Sequence, residues 1–177
     1  GVDVGGRWEE IGDRAERHQM DGRLVFADLH YVLALLGAGR VKSADALARR
    51  IVDDSFTCGS EERRIAARSG GTMACGLLSF QAGDYVAAAK WFSAGRSTLL
   101  DIGGSNAQRD LFEQVYIESL IRSGDEEQAA ALLERRLSVR MGRSRYALEG
   151  LGRLHTTSAR LSALAALDAL SPKSTRH

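Results

Sequence analysis

The chain has 177 residues with 24 basic and 23 acidic side chains, so its net charge is only +1. Its content of 44% hydrophobic and 27% charged residues is typical of a soluble globular protein and argues against a disordered one. A single proline and 6% aromatic residues argue against a β-sandwich or a proline-rich linker. The longest apolar stretch, 31–36, is too short to span a bilayer.

The first twenty residues do not have the pattern of a signal peptide, and the two cysteines do not have the spacing of a metal site. Acidic residues occur throughout the first twenty positions, where a signal peptide would be basic and then apolar. Cys58 and Cys75 are 17 residues apart, form no CxxC motif and have no histidine at ligand spacing. We therefore predict reduced thiols, no metal, no cofactor and a cytoplasmic protein.

In chain order, helical periodicity predicts ten helices, and no segment shows the alternation of a strand. They lie near 7–19, 22–37, 41–54, 60–68, 72–82, 84–100, 105–123, 125–140, 144–155 and 158–170. We expect a single domain over 1–177. It divides into an N-terminal helix in 1–21, three helical hairpins in 22–140, capping helices in 141–171 and a tail in 172–177.

A nine-residue pattern occurs three times at boundaries between these helices. Each copy has a bulky apolar residue, Ala or Ser two positions later, then Gly, then Arg or Asp, and Ala five positions after the Gly. The glycines are Gly39, Gly83 and Gly124, separated by 44 and 41 residues. We expect each glycine to end a helix in the left-handed conformation, which costs glycine little.

The residues that follow each glycine are suited to begin a second, antiparallel helix. Asp84 and Asp125 can cap it with a side-chain oxygen. A small residue on this helix allows two helices to approach closely, and the repeated residues are Ala44, Ala88 and Ala129. The pattern predicts three αα-hairpins, which stack because one hairpin cannot bury its own apolar face.

The repeat resembles the tetratricopeptide repeat. The second copy matches it best, with Gly76, Gly83, Tyr85, Ala88 and Phe92 at the family's spacing. The resemblance implies an all-α, tetratricopeptide-like solenoid of antiparallel hairpins. That family's repeat has about 34 residues, so the longer spacings here need extra residues. We place them in the short helix 60–68, ahead of a break at 70–71, and in a prolonged helix and turn over 97–104.

One stretch is more specific than the general repeat. Residues 102–114, which read IGGSNAQRDLFEQ, are similar to the signature of the tetratricopeptide repeat protein 38 family. The run 26–30, followed by 36–38, is similar to an earlier block of that family. The similarity covers roughly 7–155 and implies the C-terminal half of a helical-repeat protein. It brings no established reaction or cofactor with it.

In a tetratricopeptide array the first helix of each hairpin lines a concave groove. The repeat register assigns these groove positions to Phe26, Leu29, Leu33, Leu36, Gly70, Met73, Leu77, Phe80, Leu111, Gln114, Glu118 and Ile121. Lys, Arg and Asn, which clamp a peptide carboxylate, are absent from this set. The groove is either plain core or a binding site for an amphipathic helix or an extended apolar segment. The predicted function is a non-catalytic protein-protein interaction scaffold that binds a protein partner or a second copy of itself.

An enzyme, or the remnant of one, is the alternative. Two carboxylates with an arginine and a histidine are the minimum for acid–base chemistry, and the candidates are Asp28, His30, Arg109, Asp110 and Glu113. Positions two apart on a helix point about 200° from each other, so Asp28 and His30 form no dyad. Arg109 and Asp110 each have a polar residue four positions later, Glu113 and Gln114, with which they can bond. The structural reading is a hydrogen-bonded interior histidine and a network that holds the turn at 103–104.

The C-terminal part is basic. Residues 135–177 carry nine Lys or Arg against two carboxylates. Its arginines include Arg135, Arg136, Arg140, Arg143, Arg145, Arg153 and Arg160. They can attract phosphates, but only Tyr146 offers a ring for base stacking. We favour a solvated surface or a patch for an acidic partner over nucleic-acid binding.

Overall fold

The computed structural model describes residues 5–155 of the chain. Of these residues 81% are helical and none lies in a strand, which confirms the prediction of an all-α protein. The predicted helix 158–170 and the tail lie outside the described residues.

Eight α-helices follow one another within 5–155. They are α1 (Arg7–His18), α2 (Val25–Gly37), α3 (Val41–Thr57), α4 (Glu61–Gln81), α5 (Tyr85–Gly95), α6 (Asn106–Ser123), α7 (Glu126–Val139) and α8 (Arg145–Arg153). A 3₁₀ helix, Arg96–Ile102, continues α5. Six of the predicted helices agree with the observed ones to within three residues at each end, and α4 and α5 differ.

The chain divides into two compact units, the first ending at Ser119 and the second beginning at Leu120. In the first unit α1 packs on α2, α2 and α3 pack on α4, and α4 packs on α5 and the 3₁₀ helix; α2 also packs on α3. In the second unit α7 packs on α8. The single domain over 1–177 stays a prediction.

The three repeated glycines form the same turn. Gly39, Gly83 and Gly124 have φ of 72°, 80° and 84°. Each donates its N–H to the carbonyl three residues back, at 3.0, 3.1 and 3.3 Å. The residue after each glycine donates to the carbonyl five residues back, at 2.8, 3.0 and 3.0 Å. This is the Schellman motif, which satisfies the last carbonyls of a helix, and it confirms the predicted helix ends.

The helix that follows each turn also begins as predicted where an aspartate is present. Asp84 accepts a hydrogen bond from the N–H of Ala87 at 2.9 Å, and Asp125 accepts one from Gln128 at 3.2 Å. The repeated alanines lie inside the protein, with no exposed surface on Ala44, Ala88 or Ala129. At each of these positions the helix surface is completely covered by the rest of the protein.

The predicted break at 70–71 is wrong, because α4 is one continuous helix of 21 residues. Both glycines are buried. A Cβ atom at Gly70 would lie 2.2 Å from Cγ1 of Val25, and one at Gly71 would lie 3.0 Å from Cγ2 of Val52. The glycines therefore let the start of α2 and the middle of α3 contact the α4 backbone. The extra residues of this repeat lengthen α4 instead of forming a separate short helix.

The predicted helix 84–100 is also only partly right. The α-helix ends at Gly95 and tightens into the 3₁₀ helix. Gly103 follows with φ 80° and ψ −153°, a region open only to glycine. Ser105 and Gln108 then exchange hydrogen bonds of 3.0 and 3.3 Å, which form a capping box at the start of α6.

Candidate binding surface

Part of the predicted groove is core of the first unit. Leu29, Leu36, Met73 and Leu77 are at most 6% exposed. Gly70 is buried under Val25. These five positions hold helices together, and a partner reaches them only after the packing opens.

The remaining groove positions of the first unit are more accessible. Phe26, Leu33 and Phe80 are half-buried, and Leu111 is 38% exposed. We call these four residues the outer apolar set. Two polar groove positions, Gln114 and Glu118, are half-buried on α6, and Ile121 is half-buried in the second unit.

An aromatic cluster joins α2 to the start of α6. The His30 ring lies 4.4 Å from the Phe26 ring and 5.7 Å, edge-on, from the Phe112 ring. Nδ1 of His30 donates to the carbonyl of Phe26 at 2.9 Å. A Cβ atom at Gly104 would lie 2.2 Å from the Phe26 ring. His30 is thus hydrogen-bonded, as expected from the sequence, but it is half-buried rather than interior, and its ring lies between two phenyl groups.

Asp28 belongs to a different cluster, centred on Arg50 of α3. Nη2 of Arg50 lies 2.7 Å from the Asp28 carboxylate, and Nη1 lies 2.8 Å from Asp54. Nε of Arg50 donates to the Gln19 carbonyl at 3.0 Å. Asp28 is almost completely buried, and this burial raises the pKa of its carboxyl despite the opposing effect of Arg50. Sequence reasoning missed this cluster, although the four-residue spacing of Arg50 and Asp54 indicated half of it.

Of the other three candidates of the enzyme hypothesis, Arg109 holds the turn before α6, and Asp110 and Glu113 bond elsewhere. Arg109 donates to the carbonyls of Gly103, at 2.9 Å, and Gly104. The predicted pair of Arg109 with Glu113 is wrong, because Glu113 pairs with Arg96 at 3.0 Å. The neighbouring bond from Gln114 to Asp110, at 3.0 Å, forms as predicted.

Within residues 5–155, Asp28, His30 and Arg109 therefore have separate partners and do not contact one another. Asp28 pairs with Arg50, His30 bonds to the Phe26 carbonyl and Arg109 bonds to the turn before α6. The geometry gives the enzyme alternative no support from these three side chains.

The basic residues of the second unit are partly engaged in packing. The Arg136 guanidinium lies 5.2 Å from the centre of the Tyr146 ring, and Arg136 is buried. Arg145 pairs with Glu149 at 2.6 Å on the surface of α8. Arg160 lies outside the described residues.

The described part of the chain offers neither a metal site nor a membrane-spanning helix. It contains no group of three His, Cys, Asp or Glu side chains that could hold a metal ion. Cys58 and Cys75 are free and half-buried, and burial raises the pKa of the Cys75 thiol. No described helix is both long enough and apolar enough to cross a bilayer.

No protein-family model matches the chain, and no solved structure matches it significantly.

Proposed function

We propose that the chain is a non-catalytic, tetratricopeptide-like interaction scaffold related to the tetratricopeptide repeat protein 38 family. The observation that carries the proposal is the threefold recurrence of one turn. Gly39, Gly83 and Gly124 share a left-handed φ and the same pair of backbone hydrogen bonds. Each is followed five residues later by a fully buried alanine.

Packing in the first unit supports the same proposal. In stacked hairpins the second helix of one pair contacts the first helix of the next, and successive first helices contact each other. Here α3 packs on α4 and α2 packs on α4. Gly76 of α4 also receives the Phe92 ring of α5, since a Cβ atom at Gly76 would lie 2.9 Å from Cζ of that ring. A small residue facing a large one is how paired helices approach closely.

The contact residues of this scaffold are the outer apolar set. Phe26, Leu33, Phe80 and Leu111 lie on first helices and keep part of their apolar surface exposed. A surface of this chemistry suits an amphipathic helix or an extended apolar segment, supplied by another protein or by a second copy. Burying it in a complex gains about 25 cal/mol per Å² of apolar area.

Alanine substitutions separate binding from folding. We expect Leu33→Ala and Phe80→Ala to weaken association strongly while lowering stability only modestly, because both side chains are half-buried. Leu77→Ala is the core control, since Leu77 is 2% exposed, and it should cost about 2–5 kcal/mol of folding free energy. Leu100→Ala, at a residue 71% exposed on the 3₁₀ helix, is the surface control and should change neither property.

Association is measured by light scattering over a concentration series and by co-purification of the intact gene product from its native lysate. Stability is measured by urea unfolding of the same samples. If Leu33→Ala and Phe80→Ala lose stability and association in equal proportion, as Leu77→Ala should, the outer apolar set is core and the proposal fails.

A further inference from the structure

Helix α1 is attached to the first unit with little apolar burial. Only Gly12 and Ala15 of its twelve residues are buried. Its two large apolar side chains, Trp8 and Ile11, remain 43% and 47% exposed. By comparison, α2 buries six residues. A helix of this length is marginal on its own in water, so α1 depends on the surface beneath it.

Charged contacts make up much of this attachment. Arg40, at the start of α3, donates to Asp13 and, at 2.9 Å, to Glu16. The hydroxyl of Ser43 donates to the same Glu16 carboxylate at 3.0 Å. The Arg40 guanidinium holds the pKa of Asp13 below its usual value. Both carboxylates are exposed, so solvent and salt weaken these contacts.

The surface beneath α1 has a recognisable shape. Gly37, at the end of α2, leaves room for the Trp8 ring, because a Cβ atom there would lie 2.4 Å from that ring. One helical turn along, Gly12 of α1 faces Ala38, and a Cβ atom at Gly12 would lie 2.7 Å from Cβ of Ala38. Together with Arg40, this surface selects a helix with an aromatic residue, a small residue four positions later, and carboxylates just beyond it.

The connection after α1 is anchored separately. Arg50 donates to the carbonyl of Gln19 at 3.0 Å, and Arg63 donates to the carbonyl of Gly22. His18 also bonds to Asp21 at 3.0 Å. These contacts hold the segment between α1 and α2 against α3 and α4, so this segment can act as a tether for α1. Such a tether gives an effective concentration in the millimolar range.

We propose that the α2–α3 surface formed by Gly37, Ala38, Arg40 and Ser43 is a docking site for an acidic amphipathic helix, which α1 occupies as an autoinhibitory contact. The partner helix carries the features that α1 presents: an aromatic ring, a small residue and two carboxylates for Arg40. This site is distinct from the outer apolar set and does not depend on the function proposed for it.

The test uses the full chain and a labelled synthetic peptide of residues 5–21 as the probe. In the variant Ala15→Arg, the added side chain has no space, because Ala15 is fully buried. The substitution therefore expels α1 and leaves the docking surface itself unchanged. We expect the probe to bind this variant at least tenfold more tightly than the wild-type chain, measured by fluorescence anisotropy. Equal affinity for both chains would overturn the proposal.

Charge reversal tests the recognition itself. A probe with Asp13→Lys and Glu16→Lys should lose binding to the Ala15→Arg chain and regain it when that chain also carries Arg40→Glu. A reversed probe that binds the Ala15→Arg chain as well as the native probe does would refute the role of Arg40.

A second variant keeps the test valid if Ala15→Arg folds poorly. In a chain that also carries Trp91→Phe, so that Trp8 is the one fluorescent tryptophan, Arg40→Gln should increase quenching of Trp8 by acrylamide, since α1 loses its charged contacts. Arg49→Gln is the matched control, because Arg49 pairs with Asp45 inside α3 at 2.8 Å and does not contact α1. If both variants give the same quenching as the Trp91→Phe chain, Arg40 does not hold α1 and the proposal fails.

Discussion

Replacing Arg50 with methionine should destabilise the first unit through the carboxylate that it leaves behind. Asp28 is 3% exposed, and its cation partner lies 2.7 Å away. Methionine keeps most of the length of Arg50 and removes its charge. Breaking a buried ion pair from one side costs about 3–5 kcal/mol. We expect about 3 kcal/mol, because the Arg50 side chain is 15% exposed and water can reach part of the site.

The double variant Arg50→Met with Asp28→Asn should be more stable than Arg50→Met alone, by about 1–2 kcal/mol. The asparagine removes the unpaired charge, whereas the methionine variant keeps it. Asp28→Asn alone should cost only about 1 kcal/mol, since Arg50 retains Asp54 and the Gln19 carbonyl.

The difference between the single and double variants depends on pH in a defined direction. Burial raises the pKa of Asp28 in the native protein, and losing Arg50 raises that pKa further. A carboxyl with a raised folded-state pKa stabilises the protein most below its unfolded pKa, and it loses that contribution as pH rises. Arg50→Met should therefore approach the double variant in stability as pH falls from 7 towards about 4.

Urea unfolding, followed by far-ultraviolet circular dichroism at pH 7 and pH 5, compares the wild-type chain with Arg50→Met, Asp28→Asn and the double variant. Arg49→Met is the neighbouring control and should leave the midpoint unchanged, because the Arg49 side chain is 76% exposed. The reasoning is refuted if Arg50→Met and the double variant unfold at the same urea concentration at both pH values.

Two further substitutions test the glycine and turn geometry. Gly76→Ala should lower stability by about 1–3 kcal/mol, since its Cβ would press on the Phe92 ring at 2.9 Å. Thermal unfolding checks this, and adding Phe92→Leu to that variant should recover part of the loss. Because alanine is a better helix former than glycine, a gain in stability from Gly76→Ala would contradict the packing argument. Met141 holds a left-handed φ of 48° just after α7 and is 81% exposed, so Met141→Gly should stabilise the second unit by about 1 kcal/mol. Val139→Gly, at the end of α7, is the control for that substitution and should destabilise; a loss of stability in both variants would contradict the turn argument.

The parts of the fold that the sequence predicted correctly are governed by local rules. A glycine that ends a helix, an aspartate that caps the next one and an alanine five residues later form one continuous stretch. The conformations of Gly83, Asp84 and Ala88 therefore follow from their neighbours in the chain. The capping box at Ser105 and Gln108 was predictable for the same reason.

The errors arise where distant residues decide the outcome. Two adjacent glycines disfavour a helix by about 1 kcal/mol each, so a break at 70–71 was the natural prediction. The continuous α4 exists because Val25 and Val52, from two other helices, pack against those glycines. The sequence of α4 alone does not indicate that Val25 and Val52 pack against it.

The candidate site shows the same division. The register placed twelve residues on first helices, but it could not tell which of them face inward. Leu29 and Leu33 are four residues apart on α2, yet Leu29 is fully buried and Leu33 is only half-buried. That difference depends on what packs beside each residue. The Arg50 cluster escaped notice for the same reason, since Asp28 lies 22 positions before its partner.

The space around the three repeated turn glycines affects which substitutions they can accept during evolution. Nothing lies within 4 Å of the position that a side chain would take at Gly39, Gly83 or Gly124. Selection there acts on backbone torsion alone, so asparagine, which also tolerates the left-handed region, is the one replacement that related sequences should sample freely. Ala44, Ala88 and Ala129 are fully buried, so a larger side chain has no space there. Related chains should therefore replace the turn glycines before they replace these alanines.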